Sequence, residues 1–241
     1  EDLRQEIRKT KSMTDKPFAV NVSLLPMARP VNYEEYFNVA IEEGVSIIET
    51  SARNPEPYMK LLRDAGVKVI HKCARVRDVR TAERVGVDAA TIDGFEAGGN
   101  PGMEDVASSI LIPAAVDAVK IPVIAAGGFT DARGFVAALA LGAEAVLMGT
   151  RFMARKECLA HPKFKDWLLQ ASETDTILAM RSIKNPERIA KTDFAHRVLE
   201  MEGKGATLEE LMPLITGLRG KQALEEGNIN VGMGGCGQVK G

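Results

Sequence analysis

The chain has 241 residues, 45% of them hydrophobic and 27% charged, with a formal net charge of −2. That apolar fraction is too high for a disordered chain, and the near-neutral charge lacks the basic footprint of a nucleic-acid binder. Three scattered cysteines, Cys73, Cys158 and Cys236, form neither a disulfide framework nor a zinc pattern, and no metal site is expected. No apolar run approaches the roughly 18 residues of a membrane span. No charged-then-apolar leader opens the sequence, so a reducing cytoplasm is the expected location.

In chain order, a helix is predicted over Glu1–Met13, with Leu3, Ile7 and Lys11 on one face. Short apolar runs then alternate with helical segments. Phe18–Leu24, Ser46–Glu49, Lys68–Ile70, Ala89–Ile92, Val123–Ala126 and Ala145–Met148 read as strands buried on both faces. Tyr33–Glu43, Pro57–Ala65, Val76–Val85, Asp105–Val119 and Ala132–Leu141 read as the helices between them. Gly44, Gly66, Gly86 and Gly142 follow helical segments, where a left-handed cap is expected. This is a succession of βα units. An open doubly wound sheet and a closed (β/α)8 TIM barrel both fit. Even spacing of roughly 20 residues favours the barrel, whose eight strands would put the first two βα units before Glu1.

After Arg151 the strand signal fades. His161–Gln170, Ile177–Ile183, Pro186–Glu202 and Leu208–Glu226 are predicted helical. The expected organisation is a barrel over 1–152, a helical extension or lid over 153–227, and a glycine-rich loop over 228–241 returning to the barrel mouth.

Two consecutive units end in glycine. Val123–Ala126 runs into Gly127-Gly128-Phe129-Thr130-Asp131, and Ala145–Met148 into Gly149-Thr150-Arg151. Such glycines serve tight turns or let backbone N–H groups approach an anion at a helix start. Two adjacent strand ends of this kind favour a phosphate clamp, as in the last loops of a (β/α)8 barrel. Between Cys73 and Cys158 there is no cysteine for an inosine-monophosphate dehydrogenase nucleophile. Between His71 and His161 there is no histidine for the loop of a glycolate-type oxidase.

Asp93-Gly94-Phe95-Glu96-Ala97-Gly98-Gly99-Asn100-Pro101-Gly102, with Ala126-Gly127-Gly128-Phe129 and Met148-Gly149-Thr150-Arg151-Phe152, resembles the nitronate monooxygenase family, formerly 2-nitropropane dioxygenases. The resemblance covers essentially the whole chain. It implies FMN in the barrel mouth, with Asn21, Lys72, Asp93, Gly98, Gly128, Gly149 and Thr150 as cofactor-binding residues and Asn100 as the catalytic position. Asn21 would meet the flavin edge, Lys72 its N1/C2=O region, and Gly128, Gly149 and Thr150 its phosphate. The family usually carries His where this chain has Asn100. Asn can donate hydrogen bonds but takes no proton at neutral pH. The implied activity is oxidation of alkyl nitronates with O2. The alternative is an NAD(P)H-dependent FMN reductase of an enoyl thioester or quinone. A flavin-binding protein without catalysis is a third reading. The expected partners are small-molecule substrates and, in a homodimer, a second copy of the chain. His71 is expected to face the helices if Lys72 faces inward. His161 and His196 read as packing or surface residues, Cys73 as a small core residue, and Cys236 as a thiol on a loop over the flavin.

Overall fold

A computed structural model describes residues 2–25 and 31–238. Glu1 of the first predicted helix and residues 239–241 of the predicted glycine-rich loop lie outside them. The strands of the first part are β1 (Ala19–Ser23), β2 (Ile47–Ser51), β3 (Lys68–Cys73), β4 (Ala89–Asp93), β5 (Val123–Ala126) and β6 (Ala145–Leu147). They form one sheet in the order β1-β2-β3-β4-β5-β6, with β1 to β4 paired in parallel. The helices are α1 (Leu3–Met13), α2 (Tyr33–Glu42), α3 (Glu56–Asp64), α4 (Val76–Val85), α5 (Ser108–Val116) and α6 (Ala132–Ala140). Strand, helix, strand in strict sequence order is the βα topology of a (β/α)8 barrel, followed here for six strands.

Local chemistry accounts for these boundaries. Asp2 caps α1 by accepting the Arg4 N–H at 2.9 Å, and Asp131 caps α6 by accepting from Arg133 and Gly134. Gly86 ends α4 at φ +89°, a conformation that costs a side chain-bearing residue more. Helix α5 starts at Ser108, three residues later than predicted, because Asp105 takes a left-handed φ of +49°.

The chain divides into two compact units. The first takes the residues up to Ile92 together with Ala114–Ile124. Its core is made by the helix-facing side of the sheet, including Ile48, Val69, Cys73 and Ile92, against Phe37, Leu62, Val79 and Ala82. Arg4 and Arg8 of α1 grip the Glu43 carboxylate at 2.7 and 2.8 Å, and these two guanidiniums, Arg8 foremost, pull its pKa down to about 2.

The second unit takes Asp93–Pro113 and the described residues from Ala125 onward. After β6 come α7 (Thr150–Met153), α8 (Pro162–Gln170), β7 (Thr176–Ala179), β8 (Glu187–Ala190), α9 (Asp193–Gly203), α10 (Leu208–Ile215) and α11 (Gly217–Glu226). Two corrections arise here. Ile177–Ile183 and the start of Pro186–Glu202 are not helical: β7 and β8 make an antiparallel hairpin, Thr176 opposite Ala190. Pro186 favours extended backbone at Asn185, and Met180 and Lys184 turn the tip at φ +63° and +58°. The single helix predicted over Leu208–Glu226 is two, broken at Thr216, whose ψ of 142° is extended. The hairpin packs through Ala179, Met180 and Ile189 on Phe194, Val198 and Leu211.

Candidate active site

In the first unit, alternation along β3 sorts the residues. Val69, His71 and Cys73 are buried, while Ile70 and Lys72 are half-buried on the opposite face. Parallel register then sets Ser23, Ser51, Lys72 and Thr91 side by side in one row across β1 to β4. Two residues earlier the row reads Asn21, Glu49, Ile70, Ala89. Lys72 makes no ion pair or hydrogen bond among the described residues. Thr91 is fully buried, and its hydroxyl has no partner among them. Asn21 does not stand free: its Nδ2 donates to Glu49 Oε2 at 2.5 Å. Glu49 therefore fixes the Asn21 amide, leaving the Asn21 carbonyl oxygen as its open acceptor.

His71 behaves as the alternation demands. It is buried beside Thr50, whose hydroxyl lies 2.9 Å from Nδ1, and burial pushes its pKa down to about 4 despite the nearby Asp78. It is a neutral core histidine.

In the second unit, Asp93 is buried at the end of β4. The loop that follows is anchored at three points. The Glu96 carboxylate accepts from the backbone N–H and the hydroxyl of Ser108, at 3.0 and 2.8 Å. Arg188, on β8, stacks 4.5 Å over the Phe95 ring and donates to the Phe95 carbonyl from Nε (3.2 Å) and Nη2 (2.8 Å). Its remaining arm donates to Thr176, and burial pulls its pKa below the ordinary arginine value. Arg188 and Gly99 also exchange backbone hydrogen bonds at 2.7 and 3.2 Å.

The third anchor is the glycine-rich tail. A Cβ on Gly98 would fall 2.6 Å from the Gly237 nitrogen, so only glycine lets the tail cross there. Gly237 N–H donates to Thr150 Oγ1 at 2.9 Å, and Gln238 N–H to the Glu96 carbonyl at 2.8 Å. Thr150, Gly98 and the tail are thus one connected cluster. Cys236 is buried in it, and desolvation pushes its thiol up to about 12, with Arg188 acting the other way.

Gly128 sits at φ +80° against Glu96. Gly149 differs. Its φ is an ordinary −97°, and a Cβ built on it meets nothing within 4 Å. Neither backbone strain nor packing within the described residues requires glycine there. The N–H groups of Gly128 and Gly149 have no hydrogen-bond partner among the described residues. Beside them an open groove of about 480 Å³ is lined by Thr130, Phe135, Met148, Arg151, Phe152 and Arg155.

Asn100 is exposed. Its Oδ1 accepts from the Gly102 N–H at 2.9 Å, and its Nδ2 donates to Asn185 Oδ1 at 2.8 Å. His161 caps α8 by accepting the Lys163 N–H at its Nδ1, and His196 is exposed on α9. Among the described residues no cluster of histidine, cysteine and carboxylates could hold a metal ion, and no helix is long and apolar enough to cross a membrane.

Glu49, Arg188 and Asn185 escaped the sequence reading. Glu49 could have been noticed as a charge inside an apolar strand. Arg188 and Asn185 carry no local signal, because their partners lie 93 and 85 residues away.

A family model described as nitronate monooxygenase matches residues 1–240. The chain belongs to the nitronate monooxygenase family. Among its relatives, a hydroxy-methyl-oxo-octahydroindene-carboxyl-CoA dehydrogenase of Rhodococcus jostii is 35% identical over 81% of this chain and 54% of its own length. A Staphylococcus saprophyticus protein named "Probable nitronate monooxygenase" is 31% identical over 94% of this chain and 75% of its own length. FabK from Thermotoga maritima has a structure that superposes with a TM-score of 0.90 at 38% identity, covering 98% of this chain and 73% of that one. The chain thus spans about half the length of the dehydrogenase it resembles. Monooxygenase and dehydrogenase both name oxidoreductases, and the nitronate monooxygenase family is one of oxidoreductase enzymes.

Proposed function

We propose that this chain carries the FMN-dependent chemistry of a nitronate monooxygenase, oxidising alkyl nitronates with O2. The observation that carries the reading is Gly149 with Gly128. Adjacent strand ends offer backbone N–H groups without a partner among the described residues, and a Cβ on Gly149 would meet none of them. Those N–H groups, with the Thr150 hydroxyl, would hold a phosphate. In the first unit Lys72, a cation with no partner among the described residues, would hold the anionic edge of a flavin, and the Thr91 hydroxyl, unpartnered among them too, fits a polar ligand in the same row. Asn21, oriented by Glu49, would accept from a ring N–H. Asp93 and Gly98 would shape the loop beside the ring.

FMN, when bound, supplies the electron transfer between substrate and O2. The protein's part is to position the substrate and to withhold or supply a base. Asn100, a neutral donor, orients an already anionic nitronate and abstracts no proton. A positioned base is worth about 10²- to 10⁴-fold in rate, so turnover of neutral nitroalkanes should trail that of nitronates by that order. Asn100→His should narrow the gap and bring in a pH dependence near the histidine pKa of about 6.5. Identical profiles for the two forms would remove Asn100 from the active site. FAD in place of FMN, identified by the mass of the released cofactor, would overturn the cofactor assignment.

A second reading draws on one relative's name. A carboxyl-CoA dehydrogenase at 35% identity makes a CoA thioester a candidate redox substrate; in the reductive direction, on an enoyl thioester, NAD(P)H would be the hydride donor. Anaerobic titration separates the two readings. Bleaching of the flavin by a nitronate supports the first, and bleaching by NAD(P)H supports the second. The location that accompanies either reading is the cytoplasm, as a homodimer.

A further inference from the structure

Resting on the nitronate reading, we propose that Asn185 is a second substrate-binding residue. With Asn100 it forms a paired-carboxamide site for a planar two-oxygen anion. The Gly102 N–H can only donate, so the Asn100 atom 2.9 Å from it is the carbonyl oxygen. The other end of that amide is then a donor, so the Asn185 atom 2.8 Å away is also a carbonyl oxygen. Both amides are thereby locked in one orientation. What remains without a partner among the described residues is one N–H of Asn100 and both N–H groups of Asn185. Neutral donors side by side on a solvent-reached loop match the paired oxygens of a nitronate, and they hold its charge without titrating.

The pair is held from both sides. Arg188 and Gly99 exchange their two backbone hydrogen bonds, and Arg181 forks onto the Asp105 carboxylate at 2.8 and 3.0 Å. Asn185 is returned to Asn100 by a hairpin tip with two non-glycine residues in the left-handed region, Met180 and Lys184, closed by Asn185 N–H to the Met180 carbonyl at 3.2 Å. Left-handed backbone at non-glycine residues costs on the order of 1–3 kcal/mol each and persists where the surroundings hold it.

The test is Asn185→Asp. A carboxylate still accepts from Asn100, so the loop stays tied, but the two free donors vanish. Propyl-2-nitronate turnover and calorimetric binding of nitrate, an unreactive planar anion, are measured at low and high ionic strength. The proposal expects the KM for the nitronate and the nitrate dissociation constant both to rise about tenfold or more at both ionic strengths, with kcat and Tm little changed. A rise that disappears at high salt is charge repulsion alone and overturns the proposal. So does an unchanged nitrate affinity, or a wild-type protein that binds no nitrate. If the wild type binds nitrate through Asn185 but oxidises no nitronate, the anion site stands and the nitronate activity falls.

Discussion

Two residues that are neighbours on one strand face opposite chemical fates. Lys72 has no partner among the described residues, whereas His71 is sealed beside Thr50. A cation at about 4 Å from a developing anion is worth roughly 1 to 4 kcal/mol, depending on the effective dielectric. Lys72→Met should therefore lower the flavin's two-electron potential and weaken FMN retention, as read by anaerobic redox titration. An unchanged potential in a folded variant would set the lysine aside. For His71 the folded pKa of about 4 lies below the ordinary histidine value of 6.5. Between those values an unfolded chain takes up a proton that the native one refuses. Stability is thus full above about pH 6.5 and falls as pH drops toward 4, by up to about 1.4 kcal/mol per unit. His71→Gln should flatten that slope in urea unfolding followed against pH. An equal slope would mean that other groups carry the acid sensitivity.

At the scale of elements, the hairpin β7–β8 is what turns a glycine-rich loop into a defined one. It supplies Arg188 to the Phe95 and Gly99 side and Asn185 to Asn100. The tail closes the same loop over Gly98, where a methyl group would meet backbone atoms at 2.6 and 2.7 Å. Gly98→Ala should cost about 1–3 kcal/mol or lift the tail off. Thermal unfolding with limited proteolysis around Met233–Gln238 reads both effects. An unaltered Tm with a protected tail would contradict the close approach. The hairpin is also where sequence reading failed. Strands of four residues, Thr176–Ala179 and Glu187–Ala190, are too short to display alternation, and Ile177 and Leu178 fit a helical face equally well. By contrast, β1 to β6 were legible because apolar runs and helix-closing glycines agree on the same boundaries, although β1 to β3 alternate buried with half-buried or exposed residues and are not buried on both faces as expected.

For the whole molecule, the sequence carried the glycines and Asn100 in contiguous motifs, but not what holds them. Orientation of Asn21 by Glu49 and of Asn100 against Asn185 depends on pairings that only the folded chain creates. A ligand bound only by the folded state stabilises it by about 2.7 kcal/mol at a hundredfold excess over its dissociation constant. Added FMN should raise the Tm in a dose-dependent way, and FMN that leaves the Tm unmoved at saturating concentration would argue against a flavin site in this chain.

The Arg188 clamp also sets a timetable. Its side chain closes on the Phe95 carbonyl across 93 residues of chain. During synthesis at about 5–20 residues per second, Phe95 leaves the ribosome roughly 5 to 20 seconds before Arg188 follows. Throughout that interval the stretch from Asp93 to Asn100 has no hairpin to rest on. The nascent chain finishes its first strands while the loop that would meet substrate waits, unclamped, for a segment not yet translated.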